Sequence, residues 1–231
     1  MKSIAILCAG ASQGLVTGAA EAFRSQLNME AAGRFGAVGA MKEAFASGEP
    51  CDLMILTDTM IHAMAAEGAL RAEEITPLGT VQTGVAVPNG QQIPSIHSAA
   101  ALAECLHSAT SVWIPDTVRS TAGIHMRKVF EALGLFTELI PRLREFPNGA
   151  TAMRAMAESL ESGAIGFTQN SEILFTPGIT LVGALPRDFG LSTVYTAAVS
   201  TRAREPSLAA SAIALLCSPG MEKLRKDCGF E

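Results

Sequence analysis

The sequence predicts an α/β fold built mainly on parallel strands. Short apolar runs of strand length alternate with longer segments whose apolar residues recur at the helical period. Turns rich in glycine and in hydroxyl residues separate many of these segments, as is typical where a strand leads directly into a helix. We therefore expect a sheet that is covered by helices.

The first half of the chain alternates regularly between the two element types. An apolar stripe of Leu15, Ala19 and Phe23 supports the first helix, and Gly48 and Gly68 are natural helix ends. The predicted elements are strand 3–8, helix 15–29, strand 32–35, helix 40–47, strand 51–58, helix 59–67 and strand 79–88.

The second half continues this alternation and closes with a long helical segment. Its central strand contains Trp113 and leads through a polar loop into a helix. The predicted elements are helix 99–107, strand 111–115, helix 122–133, a helix from 147 that ends at 163, strands 164–168, 177–185 and 193–200, and helix 205–230 interrupted at 218–220.

Composition excludes several classes of function. A hydrophobic content of 48% with 17% charged residues indicates a compact globular protein. The net charge is −5 and there is no run of lysine or arginine, so we expect no nucleic-acid partner. The five cysteines are scattered without C-x-x-C spacing, which predicts free thiols. No histidine or acidic cluster has metal-ligand spacing, and we predict neither a metal nor a cofactor.

The N-terminus bears on location. Strand 3–8 follows Met1 almost at once, no signal-peptide core precedes it, and no segment has transmembrane length. If Met1 is the natural start, we expect a cytoplasmic protein that does not bind membranes. If an export signal has been removed, the protein is periplasmic.

Four loops predict a site for a small anion. Loops 9–14, 36–39, 116–121 and 146–151 each follow a strand or extended piece, contain small residues and open a helix. In a parallel sheet such turns lie at the carboxyl ends of the strands, where backbone N–H groups at helix starts attract anions. Arg119 adds a planar cation suited to a carboxylate. Ser12 either caps its helix or offers a hydroxyl to the ligand.

Other candidate sites are weaker. The glycine turn 10–14 lacks the third glycine and the acidic residue of a dinucleotide site, so we reject that alternative. His125 stands in the first turn of the helix that follows the Arg119 loop, where it either donates and accepts a proton or has no role.

The order of these motifs resembles a known family over nearly the whole chain. Segments 9–12, 36–52, 53–58, 116–125, 166–172 and 218–230 are similar to the substrate-binding proteins of molybdate-type ABC transporters, a family that also includes aconitate-isomerase-like members. The resemblance implies a two-lobed type II periplasmic-binding-protein fold with the ligand in a cleft between the lobes. The expected lobes are residues 1–80 with 196–231, and residues 81–195.

The resemblance also implies the roles of individual residues. The hydroxyl of Ser12 and the backbone N–H groups of the loops would hold the ligand, and Gln169 stands where the family often has tyrosine. Loop 36–39 lacks the family's serine, and Arg119 departs from its neutral donors, which together favour a carboxylate over molybdate. The predicted ligand-binding residues are Ser12, Val38, Gly39, Arg119, Ser120, Thr121, Ala122, Ala150, Thr151 and Gln169.

Two functions follow from this resemblance. The first is a cofactor-free isomerase or tautomerase that shifts a double bond in a small unsaturated di- or tricarboxylate, with His125, Glu172 or Asp116 as the proton carrier. The second is a solute-binding protein for a small oxyanion or carboxylate in ABC transport or sensing, with an ABC permease as its partner. The residues leave the choice of proton carrier open.

Overall fold

The computed structural model describes the chain from Met1 to Glu231. The chain forms two compact units, of which unit 1 comprises Met1–Val81 with Thr193–Glu231, and unit 2 comprises Gln82–Ser192. The chain passes from one unit to the other within strand β4 (Leu70–Pro88) and at the start of strand β9 (Ser192–Ser200). The boundaries expected from the sequence, after residues 80 and 195, lie in these same two strands.

Unit 1 is an α/β layer structure. Its strands run in the order β2-β1-β3-β9; β1 is parallel to both β2 and β3, and β9 is antiparallel to β3. Helices bury a single apolar cluster against the sheet, with Phe23 and Leu53 fully buried in it. The elements of unit 1 other than β4 and β9 are β1 (Lys2–Ala9), α1 (Gln13–Gly18), α2 (Ala20–Leu27), β2 (Met29–Gly36), α3 (Val38–Ala46), β3 (Leu53–Thr57), α4 (Asp58–Ala66), α10 (Pro206–Cys217) and α11 (Glu222–Asp227).

Unit 2 repeats this architecture. Strand β5 is parallel to β6 and β7, whereas β4 is antiparallel to both β7 and β8. One apolar cluster contains Phe130 and Phe167, and a second contains Trp113 and Met153. The elements are α5 (Ala99–Ser108), β5 (Ser111–Pro115), α6 (Thr121–Ala132), α7 (Phe136–Leu139), β6 (Leu143–Phe146), α8 (Gly149–Ser159), β7 (Ala164–Gln169), α9 (Asn170–Phe175) and β8 (Ile179–Ala184).

The α/β fold class is confirmed, and the differences lie in polar or irregular segments. Strand β6 was not predicted, and β4 begins well before residue 79. Helix 15–29 is interrupted between α1 and α2 and ends at Asn28, which adopts the left-handed conformation that ends helices. No helix of the protein is both long enough and apolar enough to cross a bilayer.

In unit 1 the parallel strands end level with one another. Ala9 pairs with Gly36, and Cys8 pairs with Ile55, two residues before β3 ends. The polypeptide then enters α1 after a 3-10 turn, α3 after one residue, and α4 directly. Three helix starts therefore share one edge of the sheet, which is where an α/β protein binds its ligands.

Candidate functional site

Ser12 is the most unusual residue at the carboxyl edge of unit 1. It is fully buried, it occupies the N-cap position of α1, and its side chain does not cap the helix. Its Oγ atom has no hydrogen-bond partner. A buried hydroxyl without a hydrogen-bond partner lowers the free energy of unfolding by about 1–3 kcal/mol. The hydroxyl of Ser12 therefore does not stabilise the fold, and it is available to hydrogen-bond a ligand atom.

The start of α3 offers backbone donors beside Ser12. Ala37 is the N-cap, and its side chain cannot accept a hydrogen bond from Val38 or Gly39, the first residues of the helix. The N–H groups of a first helical turn have no partner within the helix. They also carry the positive end of the helix dipole, so the start of α3 favours an anion.

In unit 2, the Arg119 loop is ordered by Asp116. Oδ1 of Asp116 accepts hydrogen bonds from the N–H groups of Val118 at 2.7 Å and Arg119 at 2.8 Å. The guanidinium of Arg119 lies 3.9 Å from the other carboxylate oxygen, and its side chain is 53% exposed. Asp116, one of the three candidate proton carriers, therefore acts as the acceptor that shapes this loop.

The start of α6 resembles that of α3. Ser120 is the N-cap and makes no side-chain cap, so Thr121 and Ala122 present uncapped N–H groups. Gly123 allows this turn to approach the end of β5, because a Cβ atom there would lie 2.2 Å from the carbonyl oxygen of Asp116. The helix start is thus held tightly at the carboxyl edge of the sheet.

One ring nitrogen of His125 makes a hydrogen bond within the protein. Its Nε2 atom lies 2.7 Å from the carbonyl oxygen of Phe189, a distance at which Nε2–H donates to that oxygen. This hydrogen bond links α6 to the 3-10 turn Arg187–Phe189. Only Nδ1 then remains to accept a proton.

The side chain of Glu172, a residue of α9, accepts a hydrogen bond at the start of α8. Its carboxylate, 5% exposed, accepts hydrogen bonds from the Thr168 hydroxyl at 2.5 Å and the Ala150 N–H at 3.2 Å. Burial raises the pKa of Glu172, and these donors oppose the rise only in part. Asn148 accepts the N–H of Thr151 at 2.9 Å. The Ala150 and Thr151 donors assigned to a ligand from the sequence therefore have partners inside the protein.

The end of β7 brings together further polar side chains. Gln169 is 2% exposed, and its Oε1 accepts a hydrogen bond from the Thr83 hydroxyl at 3.2 Å. Asn170 Oδ1 and Ser171 Oγ, in the next two residues, are buried without partners. Asn170 and Ser171 are not among the residues predicted from the sequence, although their position directly after an apolar strand is the indication that could have found them.

Asp58 was also missed, although it follows strand β3 directly. It is the first residue of α4, and its Oδ1 accepts a hydrogen bond from the Thr196 hydroxyl at 2.8 Å. The Nδ1 atom of His62 lies 3.4 Å from the other oxygen, and the Asp58 side chain is 42% exposed. An accessible carboxylate therefore stands at the same edge as Ser12.

Other reactive groups are few. Burial raises the pKa of the Cys8 thiol well above its usual range and that of Cys51 to about 12, so both thiols stay protonated. No group of three or more His, Cys, Asp or Glu side chains is arranged to hold a metal ion. Unit 1 has the uncapped start of α3 and the partly exposed Asp58, which suit anion binding and proton transfer. Unit 2 has the uncapped start of α6 and Arg119, which suit anion binding.

Comparisons with known proteins identify the family and the fold. A family profile described as bacterial extracellular solute-binding protein matches residues 4–231. The periplasmic molybdate-binding protein of Azotobacter vinelandii has a similar structure, with a TM-score of 0.80 and 15% identity over 99% of this chain and 98% of that one. The sulfate-binding protein of Mycobacterium tuberculosis H37Rv has a TM-score of 0.77 and 16% identity, over 100% and 86% of the chains.

The sequence is also similar to that of an enzyme over almost its whole length. Aconitate isomerase of Pseudomonas sp. is 25% identical, over 99% of this chain and 87% of that protein. The predicted resemblance to molybdate-type binding proteins and to aconitate-isomerase-like members is therefore confirmed. The expected cytoplasmic location has no support from these relatives, because the matching family is described as extracellular.

We predict that Glu172→Gln removes a pH-dependent loss of stability. The unfolded chain titrates this carboxyl near its ordinary pKa of 4.5, and burial raises the pKa in the folded protein. Between these two values the folded protein binds more protons than the unfolded chain, so the free energy of unfolding falls as the pH rises. Urea unfolding from about pH 4.5 to about pH 8 should show the variant gaining stability over the wild type.

The matched control is Glu158→Gln, which removes an exposed carboxylate from the same helix, α8. It tests whether the loss of one negative charge alone changes the profile. A difference between Glu172→Gln and the wild type that stays constant across the pH range would contradict the raised pKa.

Proposed function

Since the chain belongs to the bacterial extracellular solute-binding protein family, we propose that it binds a small unsaturated di- or tricarboxylate and shifts a double bond within it. The observation that carries this proposal is the buried Ser12 hydroxyl, which has no partner in the protein. A ligand oxygen would supply the missing hydrogen bond. The uncapped start of α3, in the same unit as Ser12, is suited to the negative charge of such a ligand.

Two features favour a carboxylate over a tetrahedral oxyanion. Arg119 stands beside the start of α6, and a guanidinium matches the two coplanar oxygens of a carboxylate. The start of α8 has its N–H donors satisfied by Glu172 and Asn148, which leaves fewer neutral donors for an oxyanion. We therefore propose Arg119 with Thr121 and Ala122 as the carboxylate-binding group of unit 2.

We propose an isomerase rather than a binding protein alone because one relative, the aconitate isomerase of Pseudomonas sp., is itself an isomerase. The similarity to the Pseudomonas enzyme extends over 99% of this chain. The proposed reaction needs donors that stabilise a carboxylate as charge moves into it, together with one group that removes and returns a proton. This chain has uncapped helix starts for the first task and several carboxylates for the second.

Proton exchange tests the isomerase directly. The protein is incubated in D₂O with cis-aconitate, trans-aconitate and related unsaturated di- and tricarboxylates, and the solutions are followed by NMR. We expect deuterium to enter at a carbon next to the double bond while a second isomer accumulates. Tight binding of one of these acids without deuterium incorporation would reject the isomerase.

The second candidate is a solute-binding protein for a small oxyanion or carboxylate, which delivers its ligand to an ABC permease or a sensor. It is favoured by the similarity to solved structures of a molybdate-binding and a sulfate-binding protein. A thermal-shift panel of oxyanions and carboxylates separates the candidates, because a bound ligand raises the melting temperature by mass action. Stabilisation by micromolar molybdate, with none by carboxylates, would favour the second candidate.

We predict opposite effects of Ser12→Ala on stability and on binding. Removing an unpartnered buried hydroxyl should raise the free energy of unfolding of the ligand-free protein by up to about 1 kcal/mol. The same change should weaken binding of the carboxylate found in the panel by about tenfold, because a hydrogen bond to a charged group is lost. Urea unfolding and isothermal titration calorimetry measure the two effects.

Ser200→Ala is the matched control, because Ser200 is equally buried in the same unit but has a partner. Its Oγ accepts a hydrogen bond from the N–H of Arg202 at 3.0 Å, near the start of β3 rather than its end. This variant should lose about 1 kcal/mol of stability and keep its affinity. Destabilisation of both variants, with wild-type affinity in both, would contradict a ligand role for Ser12.

We also predict that Arg119→Ala weakens carboxylate binding by about 2 kcal/mol, or roughly thirtyfold, through loss of the paired charge. Arg127→Ala is the control, because Arg127 lies on the same unit, is similarly exposed and pairs with Glu131. Calorimetry on both variants gives the comparison. Equal affinities in the two variants would return Arg119 to the role of an ordinary surface residue.

A further inference from the structure

The carboxyl edge of unit 1 contains an acid whose position is unexpected for an anion site. Asp58 directly follows the end of β3, and Ser12 lies three residues beyond the end of the neighbouring parallel strand β1. A fixed negative charge close to a bound anion is unfavourable unless that acid interacts with a proton of the ligand. The location of Asp58 thus points to chemistry rather than to charge attraction.

The surroundings of Asp58 hold the side chain without covering it. The Thr196 hydroxyl, fully buried in β9, donates to Oδ1 at 2.8 Å. Nδ1 of His62 lies 2.9 Å from the backbone oxygen of Asp58 and 3.4 Å from Oδ2. One carboxylate oxygen is therefore anchored by a buried group, while the side chain as a whole stays 42% exposed.

The proton carriers expected from the sequence are less suited to the task. Asp116 accepts two backbone N–H groups that shape its own loop, and His125 donates Nε2–H to a carbonyl. Glu172 is buried beneath Thr168 and the start of α8. Another acid of unit 1, Asp52, accepts the N–H groups of Ala5 and Arg204 and is 4% exposed.

We propose that Asp58 is the catalytic base of the proposed isomerase, with Thr196 and His62 as its positioning residues; this inference rests on the proposed function. The Asp58 carboxylate takes a proton from a substrate carbon that lies between a carboxylate and the double bond. The electron pair of the broken C–H bond enters the conjugated system and gives an enolate. The Asp58 carboxyl is partly exposed, so its proton exchanges with solvent. Asp58 then returns one proton at the far end of that system, so the double bond shifts and no other reactant is consumed.

The edge of unit 1 also contains groups that stabilise the enolate. The charge that develops on the substrate carboxylate oxygens is suited to the uncapped N–H groups of Val38 and Gly39 and to the Ser12 hydroxyl. These donors are held by the fold before the substrate arrives. The same arrangement that binds a carboxylate therefore lowers the barrier to removing its neighbouring proton.

Asp58→Asn separates this role from a structural one, because the amide oxygen still accepts from Thr196. We expect the variant to bind the exchanging carboxylate with an affinity within about threefold of the wild type, and to lose deuterium exchange by about 100-fold or more. Glu21→Gln is the matched control, since Glu21 is an exposed acid in the first turn of α2. This control should exchange at the wild-type rate.

Separate measurement of kcat and KM tests whether Thr196 and His62 position Asp58. Thr196→Val and His62→Gln should each lower kcat for exchange by about tenfold with KM unchanged, because they act through the orientation of Asp58. Thermal unfolding of each variant checks that it folds. A rise in KM with kcat unchanged in both variants would contradict positioning.

The remaining outcomes are distinct. Wild-type exchange in Asp58→Asn would overturn the assignment of Asp58 and leave the isomerase intact. Loss of carboxylate binding in Asp58→Asn would overturn it in favour of a binding or structural role. A wild-type protein that binds these acids and never exchanges deuterium would reject the proposed function, and the catalytic base with it.

Discussion

Every α-helix begins with N–H groups that have no partner within the helix, and this protein places several such helix starts where parallel strands end. Each start must be satisfied by a side chain, by water or by a ligand. At α8 the protein itself supplies the acceptors, Asn148 and Glu172. At α3 and α6 no side chain does so, and at α1 the Ser12 hydroxyl is itself without a partner. The distribution of these acceptors decides which helix starts are available to a ligand.

The carboxyl groups at these strand ends show how the surroundings determine what one functional group does. Asp116 accepts the N–H groups of its own loop and so fixes the position of Arg119. Glu172 is buried, and Gly149 allows it to lie against the start of α8, since a Cβ atom there would lie 2.2 Å from its Oε2. Asp58 is anchored through one oxygen and remains partly exposed. Three acids that follow strands therefore have three different environments.

Binding an anion and isomerising it have much in common physically. Donors that attract a carboxylate also stabilise the enolate that forms when a neighbouring proton leaves, because the negative charge grows on the same oxygen atoms. A binding protein of this fold therefore needs one added element to become an isomerase, namely a base that reaches the substrate carbon. In keeping with this chemistry, the chain is similar both to molybdate-binding and sulfate-binding proteins and to an isomerase.

The sequence by itself determined the α/β class, the strands with continuous apolar runs and the loops that open helices, because these depend on local periodicity and turn residues. Strand β6 could not be predicted: its pattern is polar and half exposed, and only its pairing with β5 makes it a strand. The tertiary structure alone decided the roles of the polar groups, since their partners are distant along the chain. Thr196 is 138 residues from Asp58, and Phe189 is 64 residues from His125. A hydrogen bond depends on a separation of about 3 Å, which no local pattern encodes.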